Sequence, residues 1–412
     1  MYVLQMYLNV KGQNDMTRKL RVGVIGCDPD LRAALPFIAL PTDRAEIVAI
    51  ADHDPEMIEK SKKVYPDMQK NAVYYDNASA LIADPNVEAV FIMVRDHYHE
   101  EMAVEALEAG KAVYLEKPMA ITLEGCDRIL ETAYRTKSKL FVGHNMRYMQ
   151  FVLKMKEIID SGVIGEIQSV WVRHFVSYGS CYFHHWCAEQ KNCTGLLLQK
   201  GAHDIDVIHW LAGASAKRVV AMGRLSVYNQ ATDTLKPGEK PDRKVAFTPQ
   251  CWPPTELPGL NPAMDVEDHN IIMMELANGI QATYMHCMYT PDSERNYTFI
   301  GTRGRIENIG DMDYENGVEL HVWTQRGSRK KPDIVYHLHP MAGGHGGADV
   351  GIVPAFVDFV LYGKKPDVSP VDARNAVAAG YLGHQSMRNG NIPFDVPGIP
   401  AEWQEYFDNG QQ

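Results

Sequence analysis

The chain has 412 residues, of which 45% are hydrophobic and 23% are charged, a composition typical of a globular protein long enough for two domains. Its formal net charge of -11 opposes binding to phosphate backbones and anionic lipid, which argues against nucleic acid and membrane partners. Because we find neither an apolar run of about 20 residues nor a cysteine pattern typical of a disulfide framework, we expect a cytoplasmic protein.

Residues 1–17 precede the first strand-like run and are predicted to be a tail. From residue 18 to residue 144, short apolar runs alternate with segments of helical periodicity, as in a parallel sheet with crossover helices. The predicted strands are Arg21–Ile25, Glu46–Ala51, Ala89–Val94, Ala112–Leu115 and Leu140–Gly143. The predicted helices include His99–Ala109, ended by Gly110, and Leu123–Tyr134, capped by Thr122. This α/β pattern predicts a doubly wound nucleotide-binding domain of the Rossmann type.

Residues 145–412 are predicted to form an α+β domain with a large, open and mainly antiparallel sheet. After a helix at Phe151–Ser161, β-rich runs follow at Ile167–Val176, Arg218–Val227, Asn270–Leu276 and Gln281–Tyr289. The last two flank Asn278-Gly279, a strong hairpin signal. Further helices are predicted at Leu197–Leu211, Val350–Tyr362 and Val371–Met387, of which the last two close the chain.

The segment 229–262 is rich in proline and lacks periodicity, which predicts a long loop. Two interpretations of this loop stay open. It is either a surface excursion, or a substrate lid or an arm that reaches a partner subunit.

The predicted first strand runs into Gly26-Cys27-Asp28-Pro29, where a dinucleotide fold places its glycine turn and directs a helix N-terminus at the pyrophosphate. The fingerprint G-x-G-x-x-G is incomplete, because Asp28 and Leu31 stand at its second and third glycine positions. A carboxylate near a pyrophosphate is unfavourable, and Arg32 is a candidate to offset it.

The predicted second strand ends at Asp52, the position of the acid that hydrogen-bonds the adenosine ribose in such folds. An acid here would repel a 2'-phosphate, so the predicted cofactor is NAD rather than NADP. The alternative is that Asp52 caps a helix that begins near Pro55.

Two segments carry the residues of chemical interest: Ala106–Ala120, which contains Glu116-Lys117-Pro118, and Gly201-Ala202-His203-Asp204-Ile205-Asp206. They resemble the glucose-fructose oxidoreductase and inositol dehydrogenase family, called Gfo/Idh/MocA, and the resemblance extends from Lys19 to Phe394. It implies an oxidoreductase in which Lys117 and His203 flank the reacting hydroxyl while the nicotinamide takes the hydride. It also implies that the second domain binds the substrate and forms a homo-oligomer, a dimer or a tetramer, through its open sheet.

From this resemblance and the strand ends, we predict the cofactor contacts. The residues predicted to contact NAD are Gly26, Cys27, Asp28, Asp52, His53, Val94, His97, Glu116, Lys117 and Asn145. Asp96-His97 stand where the family usually has Asn-His, and Val94-Arg95 stand where it commonly has Thr-Pro. The local cofactor contacts are therefore expected to differ from those of the family.

The residues predicted to contact the substrate are Arg147, Tyr148, Trp186, Gln199, Lys200, His203, Asp206 and His345. By helical spacing, Gln199, His203, Asp206 and Trp210 share one helix face. Many members of the family carry an Asp at the position of Gln199, and an amide cannot take a proton. Proton transfer is therefore predicted to rest on Lys117 and His203, with Asp206 or Lys200 as substitutes of poorer spacing.

Lys200 has two interpretations. It forms an i, i+4 salt bridge with Asp204, or it reaches the substrate and, as a second cation, lowers the pKa of Lys117.

His184, His185, Cys187, Cys193 and His203 are residue types that bind zinc, but their spacing matches no recognised zinc pattern. No metal is predicted, and Trp186 and its neighbouring histidines are instead expected to pack against or hydrogen-bond a polyol. The run Gly343-Gly344-His345-Gly346-Gly347 lacks the strand and the Lys of a phosphate loop, which leaves His345 as a predicted contact at the mouth of the active site.

The leading hypothesis is reversible oxidation of a secondary hydroxyl of a sugar, glycoside or cyclitol by hydride transfer to NAD. A second hypothesis is a redox-neutral lyase or glycosidase that keeps NAD bound and forms a transient 3-keto sugar. A third, motivated by Asp28, Val94 and Gln199, is a ligand-binding relative without catalytic activity.

Overall fold

The structure is a computed structural model that describes residues 18–241, 252–312, 315–327, 331–339, 341 and 343–412. The predicted tail 1–17 and the middle of the predicted loop, 242–251, lie outside the described residues. Within the described ranges, no helix combines the length and the apolar character that crossing a membrane requires.

The first sheet consists of six parallel strands in the order β3-β2-β1-β4-β5-β6. The strands are β1 (Leu20–Ile25), β2 (Ala45–Ala51), β3 (Val73–Tyr75), β4 (Ala89–Ile92), β5 (Ala112–Leu115) and β6 (Leu140–Val142). Strands β4 and β5 are buried along their whole length, as expected for a parallel sheet covered on both faces. The prediction of a doubly wound sheet is confirmed. The strand order reverses between β1 and β4, and such folds bind ligands at this switch point.

Helices flank this sheet: α1 (Leu35–Ala39), α2 (Pro55–Val64), α3 (Pro66–Gln69), α4 (Ala78–Ala83), α5 (His99–Glu108) and α6 (Leu123–Thr136). The predicted cap of α6 is confirmed, because the Thr122 hydroxyl accepts a 3.0 Å hydrogen bond from the Gly125 backbone. Gly110 follows the end of α5 with a φ of +73°, as predicted for a glycine that ends a helix.

Among the described residues, the second sheet has nine strands in the order β14-β13-β12-β11-β7-β10-β9-β8-β15, of which only the pair β7 and β10 is parallel. Its strands are β7 (Ile167–Phe175), β8 (Ala216–Arg224), β9 (His269–Leu276), β10 (Gln281–Cys287), β11 (Glu294–Gly301), β12 (Arg305–Ile309), β13 (Val318–Trp323), β14 (Ile334–Leu338) and β15 (Phe394–Asp395). The predicted open, mainly antiparallel sheet is confirmed, as is the hairpin at Asn278-Gly279, where Gly279 has a φ of +87°.

The remaining helices are α7 (Gln150–Asp160), α8 (Ser180–His184), α9 (Gln190–Cys193), α10 (Leu196–Gln199), α11 (Gly201–Ala212), α12 (Ala348–Tyr362), α13 (Pro370–Arg388) and α14 (Ala401–Asp408). The single helix predicted at Leu197–Leu211 is two helices, α10 and α11, separated at Lys200. The chain also continues past the last predicted helix into β15 and α14.

The helices α12 to α14, which the sequence assigns to the second domain, pack against the first sheet. Phe356 of α12 contacts the rings of Phe91 and Tyr114, and Tyr406 and Phe407 of α14 are buried on the opposite face of the sheet. The five-residue α1 is too short to cover its face of the sheet, and the 15-residue α12 covers the rest.

The predicted loop 229–262 has two described parts, of which residues 232–241 are mostly exposed and residues 252–262 pack in part against the protein. Leu257 and Leu260 are buried in a cluster with Phe183 and Tyr228, whose rings stack at 4.1 Å. His184 Nε2 lies 2.9 Å from the Pro258 backbone oxygen, so the loop segment around Pro258 is held against α8.

Candidate active site

A sharp turn follows β1 at Gly26, whose φ of +87° lies in the left-handed region that favours glycine. A Cβ atom added there would lie 2.5 Å from the backbone oxygen of Met93. The first glycine of the fingerprint is therefore required by backbone conformation and by space. At the other glycine positions, Asp28 accepts a 3.1 Å hydrogen bond from the Asp30 backbone, and the side chain of Leu31 is exposed.

Asp52 lies at the end of β2, beside this turn. Its carboxylate accepts 3.0 Å hydrogen bonds from the backbone N–H groups of Cys27 and Asp54. The alternative that Asp52 caps α2 is wrong, because Asp54 accepts from the Glu56 backbone and caps that helix. The Cys27 thiol is buried and its pKa is raised, first by burial and then by Asp52, so Cys27 contributes its backbone to the turn. The adjoining His53 side chain is 91% exposed.

Arg32, just after the nucleotide turn, links that turn to distant parts of the chain. Its guanidinium lies 3.3 Å from both carboxylate oxygens of Glu116 and 2.6 Å from Asp349, at the start of α12. The sequence made Arg32 a candidate to offset the charge of Asp28. Because the guanidinium already pairs with two carboxylates, little of its charge is left for that role.

Asp349 gathers two more of the predicted site residues. Its carboxylate accepts a 2.6 Å hydrogen bond from the Asn145 side chain, and His345 Nδ1 lies 3.3 Å away. Burial raises the pKa of Asp349, but the hydrogen bond from His345 and the charge of Arg32 outweigh this effect and hold that pKa well below its usual range. Asp349 was not predicted, because two of its partners, Arg32 and Asn145, are distant in the sequence.

Lys117 follows β5 and is buried, with only 9% of its surface exposed. Its Nζ atom donates a 2.9 Å hydrogen bond to the backbone oxygen of Gln199. Burial lowers the pKa of Lys117 to about 8, the charge of Asp96 opposes this shift, and the charge of Lys200 reinforces it. A lysine of this pKa exchanges protons near neutral pH, unlike an exposed one.

His203 of α11 is buried beside Lys117, and its Nδ1 atom has no hydrogen-bond partner among the described residues. Its ring centre lies 5.5 Å from that of His345 and 6.5 Å from that of His144. Burial and the charges of Lys117 and His345 hold the pKa of His203 well below its usual range. A neutral imidazole donates one hydrogen bond and accepts another, so His203 is suited to orienting a hydroxyl.

The salt bridge predicted between Lys200 and Asp204 is replaced by bonds to the second sheet. The Asp204 carboxylate accepts hydrogen bonds from Tyr284, at 2.8 Å, from Arg295, at 3.1 Å, and from Tyr297. These three groups turn Asp204 away from the cleft and toward the sheet.

Lys200 instead faces two aromatic rings, because its Nζ atom lies 5.8 Å from the ring centre of Tyr178 and 5.9 Å from that of Tyr182. Burial and the charge of Arg295 lower its pKa to about 8. The charge of Lys200 lowers the pKa of Lys117, as in the second interpretation from the sequence, and contact of Lys200 with the substrate stays a prediction.

Arg147 and Asp206, both predicted to contact the substrate, bind each other. The guanidinium nitrogens lie 2.9 Å and 2.6 Å from the Asp206 oxygens, and Arg147 also donates to the Asp367 carbonyl at 2.8 Å. Helical spacing placed Asp206 on the face of His203, but it could not show that a buried arginine covers that position. We therefore correct the role of this pair from substrate contact to internal ion pair.

Two aromatic residues of the prediction, Tyr148 and Trp186, are both half-buried. The Tyr148 ring packs on Gly351 of α12, where an added Cβ would lie 3.3 Å from the ring. The ring centre of Trp186 lies 6.4 Å from that of His97. The backbone oxygen of Val94, another predicted contact, lies 3.2 Å from His99 Nε2. The structure therefore brings Trp186 and His97 together, while Tyr148 packs against α12.

The sequence placed Asp96 only at the cofactor rim, but the structure places it beside Lys117. Asp96 begins a single 3-10 turn after β4, is 4% exposed, and its Oδ2 atom lacks a hydrogen-bond partner within the described ranges. Burial raises its pKa to about 8, against the opposing charge of Lys117. The signal that could have located it is an ionisable residue where the family usually has an amide.

Comparison with known proteins agrees with this geometry. Residues 20–144 match the oxidoreductase family with an NAD-binding Rossmann fold, and residues 152–307 match the GFO/IDH/MocA C-terminal domain. The inositol 2-dehydrogenase of Salmonella typhimurium (strain LT2) is 30% identical over 292 residues, which are 70% of this chain and 73% of that enzyme. Matches to two further inositol dehydrogenases span 53% and 54% of those enzymes.

Two solved structures share the fold. Levoglucosan dehydrogenase, in a complex with NADH and levoglucosan, has a TM-score of 0.71 at 19% identity and covers 92% of this chain and 100% of that one. The myo-inositol 2-dehydrogenase from Lactobacillus plantarum has a TM-score of 0.69 at 19% identity, with the same coverage. The glycine turn at Gly26, from which a side chain is excluded, and the acid at Asp52 fit a dinucleotide at the switch point. The chain therefore belongs to the Gfo/Idh/MocA family of oxidoreductases, and its first domain is an NAD-binding Rossmann domain.

Proposed function

We propose that the protein is an NAD-dependent dehydrogenase that oxidises a secondary hydroxyl of a sugar, glycoside or cyclitol, or reduces the corresponding ketone. The observation that carries this proposal is the buried Lys117, with its pKa lowered to about 8, beside His203 at the carboxyl edge of the first sheet. The nucleotide turn at Gly26 lies at the same edge, because β1, β4 and β5 are neighbouring parallel strands.

Oxidation of a secondary alcohol needs a group that takes the hydroxyl proton beside a hydride acceptor. Lys117 in its neutral form takes the proton in this proposal. His203, held neutral by its surroundings, hydrogen-bonds the same hydroxyl and orients it. When bound, NAD supplies the hydride acceptor. In the reverse direction, protonated Lys117 returns a proton to the ketone oxygen.

The polyol class rests on the residues around Lys117 and on the relatives. Lys200 lies near the Tyr178 ring, Trp186 near His97 and His345 near His203, and a cation, an indole and an imidazole are groups that hydrogen-bond hydroxyls or pack on sugar faces. Similar proteins are named inositol 2-dehydrogenase and levoglucosan dehydrogenase. We propose NAD in preference to NADP because the Asp52 carboxylate at the end of β2 would repel a 2'-phosphate.

The test is to incubate the purified protein with NAD and a panel of cyclitols, anhydrosugars and glycosides and to follow the absorbance of NADH. Lys117→Met should lower kcat by at least about 10²-fold, the contribution typical of a general base, while NAD binding measured by calorimetry stays unchanged. Lys191→Met is the matched control, because that lysine is 75% exposed and pairs with Glu189 at the surface.

Each other outcome points to a different function. Release of an aglycone without net NADH would favour the redox-neutral lyase or glycosidase. NAD binding without turnover on the whole panel, unchanged by Lys117→Met, would favour a ligand-binding relative. Failure to bind NAD would overturn both the dehydrogenase and the redox-neutral enzyme.

We also propose that the second sheet joins two copies of this chain. Its outer face exposes Trp171, Met222, Ile271 and Met273 at 53%, 57%, 39% and 54%. These positions are contiguous, because Met222 pairs with Ile271, and Thr283 lies between Met273 and Trp171 in the register. An apolar patch of this kind is costly in water and is typical of a protein interface, and a dimer or a tetramer would cover it.

A further inference from the structure

The ends of β4 and β5 bring two ionisable groups to one place. The strands are parallel neighbours, with Ile92 opposite Leu115, so the segments that follow them leave the sheet at the same edge. Asp96 follows β4 and Lys117 follows β5, and both are buried, at 4% and 9% exposure. The charge of each group shifts the pKa of the other: Lys117 lowers that of Asp96, and Asp96 raises that of Lys117.

Gln199, at the end of α10, connects these two groups. Its backbone oxygen accepts the hydrogen bond from Lys117 Nζ at 2.9 Å, and its side chain lowers the pKa of the Asp96 carboxyl. An amide cannot accept the proton that Lys117 must pass on after each oxidation. Asp96 is the carboxyl group that shares this neighbourhood, and its Oδ2 atom is buried without a hydrogen-bond partner in the described part of the chain.

We propose that Asp96 takes up the proton that Lys117 removes from the substrate hydroxyl. This inference rests on the proposed dehydrogenase function, and Asp96 acts through Lys117 as a positioning and proton-holding residue. The hydroxyl O–H bond breaks and its proton goes to the Lys117 amine, while the carbinol hydride goes to NAD and a C=O bond forms. The Lys117 ammonium then gives its proton to the Asp96 carboxylate, so the free amine and a neutral carboxylic acid result.

The electrostatics of the site suit this transfer. Burial raises the pKa of Asp96 and lowers that of Lys117, so the two groups have similar proton affinities and transfer between them is nearly balanced. His203 cannot serve instead, since its pKa lies well below its usual range. Several ionisable groups interact electrostatically with Lys117: Asp96, Glu116, Arg32, Lys200, His99, His144 and His203. Those that face Asp96 are Lys117, Glu116, Gln199, Cys187 and Cys193.

The test uses Asp96→Asn, Asp96→Glu, Gln199→Asp and the double variant Asp96→Asn/Gln199→Asp in the full chain. For the substrate on which the unaltered enzyme is most active, Asp96→Asn should lower kcat about 10²-fold with little change in KM or in NAD affinity. The double variant returns a carboxylate to the neighbourhood of Lys117 and should regain at least tenfold of this loss. Asp96→Glu keeps a carboxyl group and should retain most of kcat.

The pH profile separates this role from a structural one. Alcohol oxidation requires unprotonated Lys117, and the charge of Asp96 raises the pKa of Lys117. Removing that charge in Asp96→Asn should therefore move the rise of log kcat to lower pH, by about one unit. Equal losses in Asp96→Asn and Asp96→Glu, with an unmoved pH profile and no rescue in the double variant, would overturn the inference while the unaltered enzyme stays active. If the unaltered enzyme itself turns over no substrate, the proposed function fails instead.

Discussion

The Lys117 amine of the first domain donates a 2.9 Å hydrogen bond to the backbone oxygen of Gln199 in the second. This bond joins the end of β5 to the end of α10, so the proposed base lies where the two domains meet. Lys200 follows Gln199 in the chain, and its charge lowers the pKa of Lys117. The pKa of Lys117 therefore depends on residues of both domains.

Removing the charge of Lys200 should raise the pKa of Lys117. Lys200 lowers that pKa, which burial has already brought to about 8, so Lys200→Met should shift the alkaline rise of alcohol oxidation to higher pH. Ketone reduction, which needs protonated Lys117, should extend to higher pH by the same shift. Initial rates of both reactions between pH 6 and pH 10 would measure this, with the exposed Lys191→Met as control. A Lys200→Met profile that superimposes on the unaltered one would contradict the electrostatic role of Lys200.

The parts of this site that could be predicted from the sequence are those set by local pattern. The alternation of strands and helices predicts the first sheet, and the family resemblance carried by the segments around Lys117 and His203 implies the proposed catalytic pair. Both depend on neighbours close in the chain. The hairpin at Asn278-Gly279 is confirmed for the same reason.

The parts that could not be predicted are contacts between distant residues. Periodicity placed Asp206 on the His203 face, but Arg147, 59 residues away, occupies its carboxylate. The ion pairs of Arg32 with Glu116 and Asp349 join three segments that no local pattern relates. The strands β11 to β14 were also missed, although a turn closed by the hydrogen bond from Gly301 to Gly304 joins β11 to β12.

Gly26→Ala should damage both stability and cofactor binding. Alanine disfavours the φ of +87° at this position by about 1–2 kcal/mol, and its Cβ would meet the Met93 oxygen at 2.5 Å, so the turn must move. We expect at least a tenfold loss of NAD affinity by calorimetry. Gly110→Ala is the matched control, because Gly110 has a φ of +73° with nothing within 4 Å of the added Cβ. Equal effects of the two substitutions would show that the approach of Met93 is unimportant.

Asp206→Asn should destabilise the protein rather than impair substrate binding. It removes one of the two carboxylates that pair with the Arg147 guanidinium, which is 4% exposed as a side chain and also lies 3.2 Å from Asp372, and breaking a buried pair costs at most about 3–5 kcal/mol. Arg218→Met, which breaks an exposed pair with Asp395, should change the free energy of unfolding little, because solvent screens such a pair. Urea unfolding at pH 7 measures both free energies. A raised KM for the polyol with unchanged stability would instead restore Asp206 to the substrate site.

Trp171→Glu should dissociate the proposed oligomer. Trp171 lies on β7 near the middle of the second sheet, and its side chain faces outward beside Thr283 of β10 and Thr298 of β11. A carboxylate there would be buried against a second copy without a partner, which is strongly unfavourable, whereas in a monomer it is hydrated. Sedimentation velocity of the unaltered protein should show a dimer or a tetramer, and Trp171→Glu should move the mass to that of one chain while thermal stability is retained. Val64→Glu is the control, because Val64 is 51% exposed at the end of α2, away from the second sheet. If the unaltered protein is a monomer, the proposed contact does not exist. If both substituted proteins remain oligomers, the contact lies elsewhere on the surface.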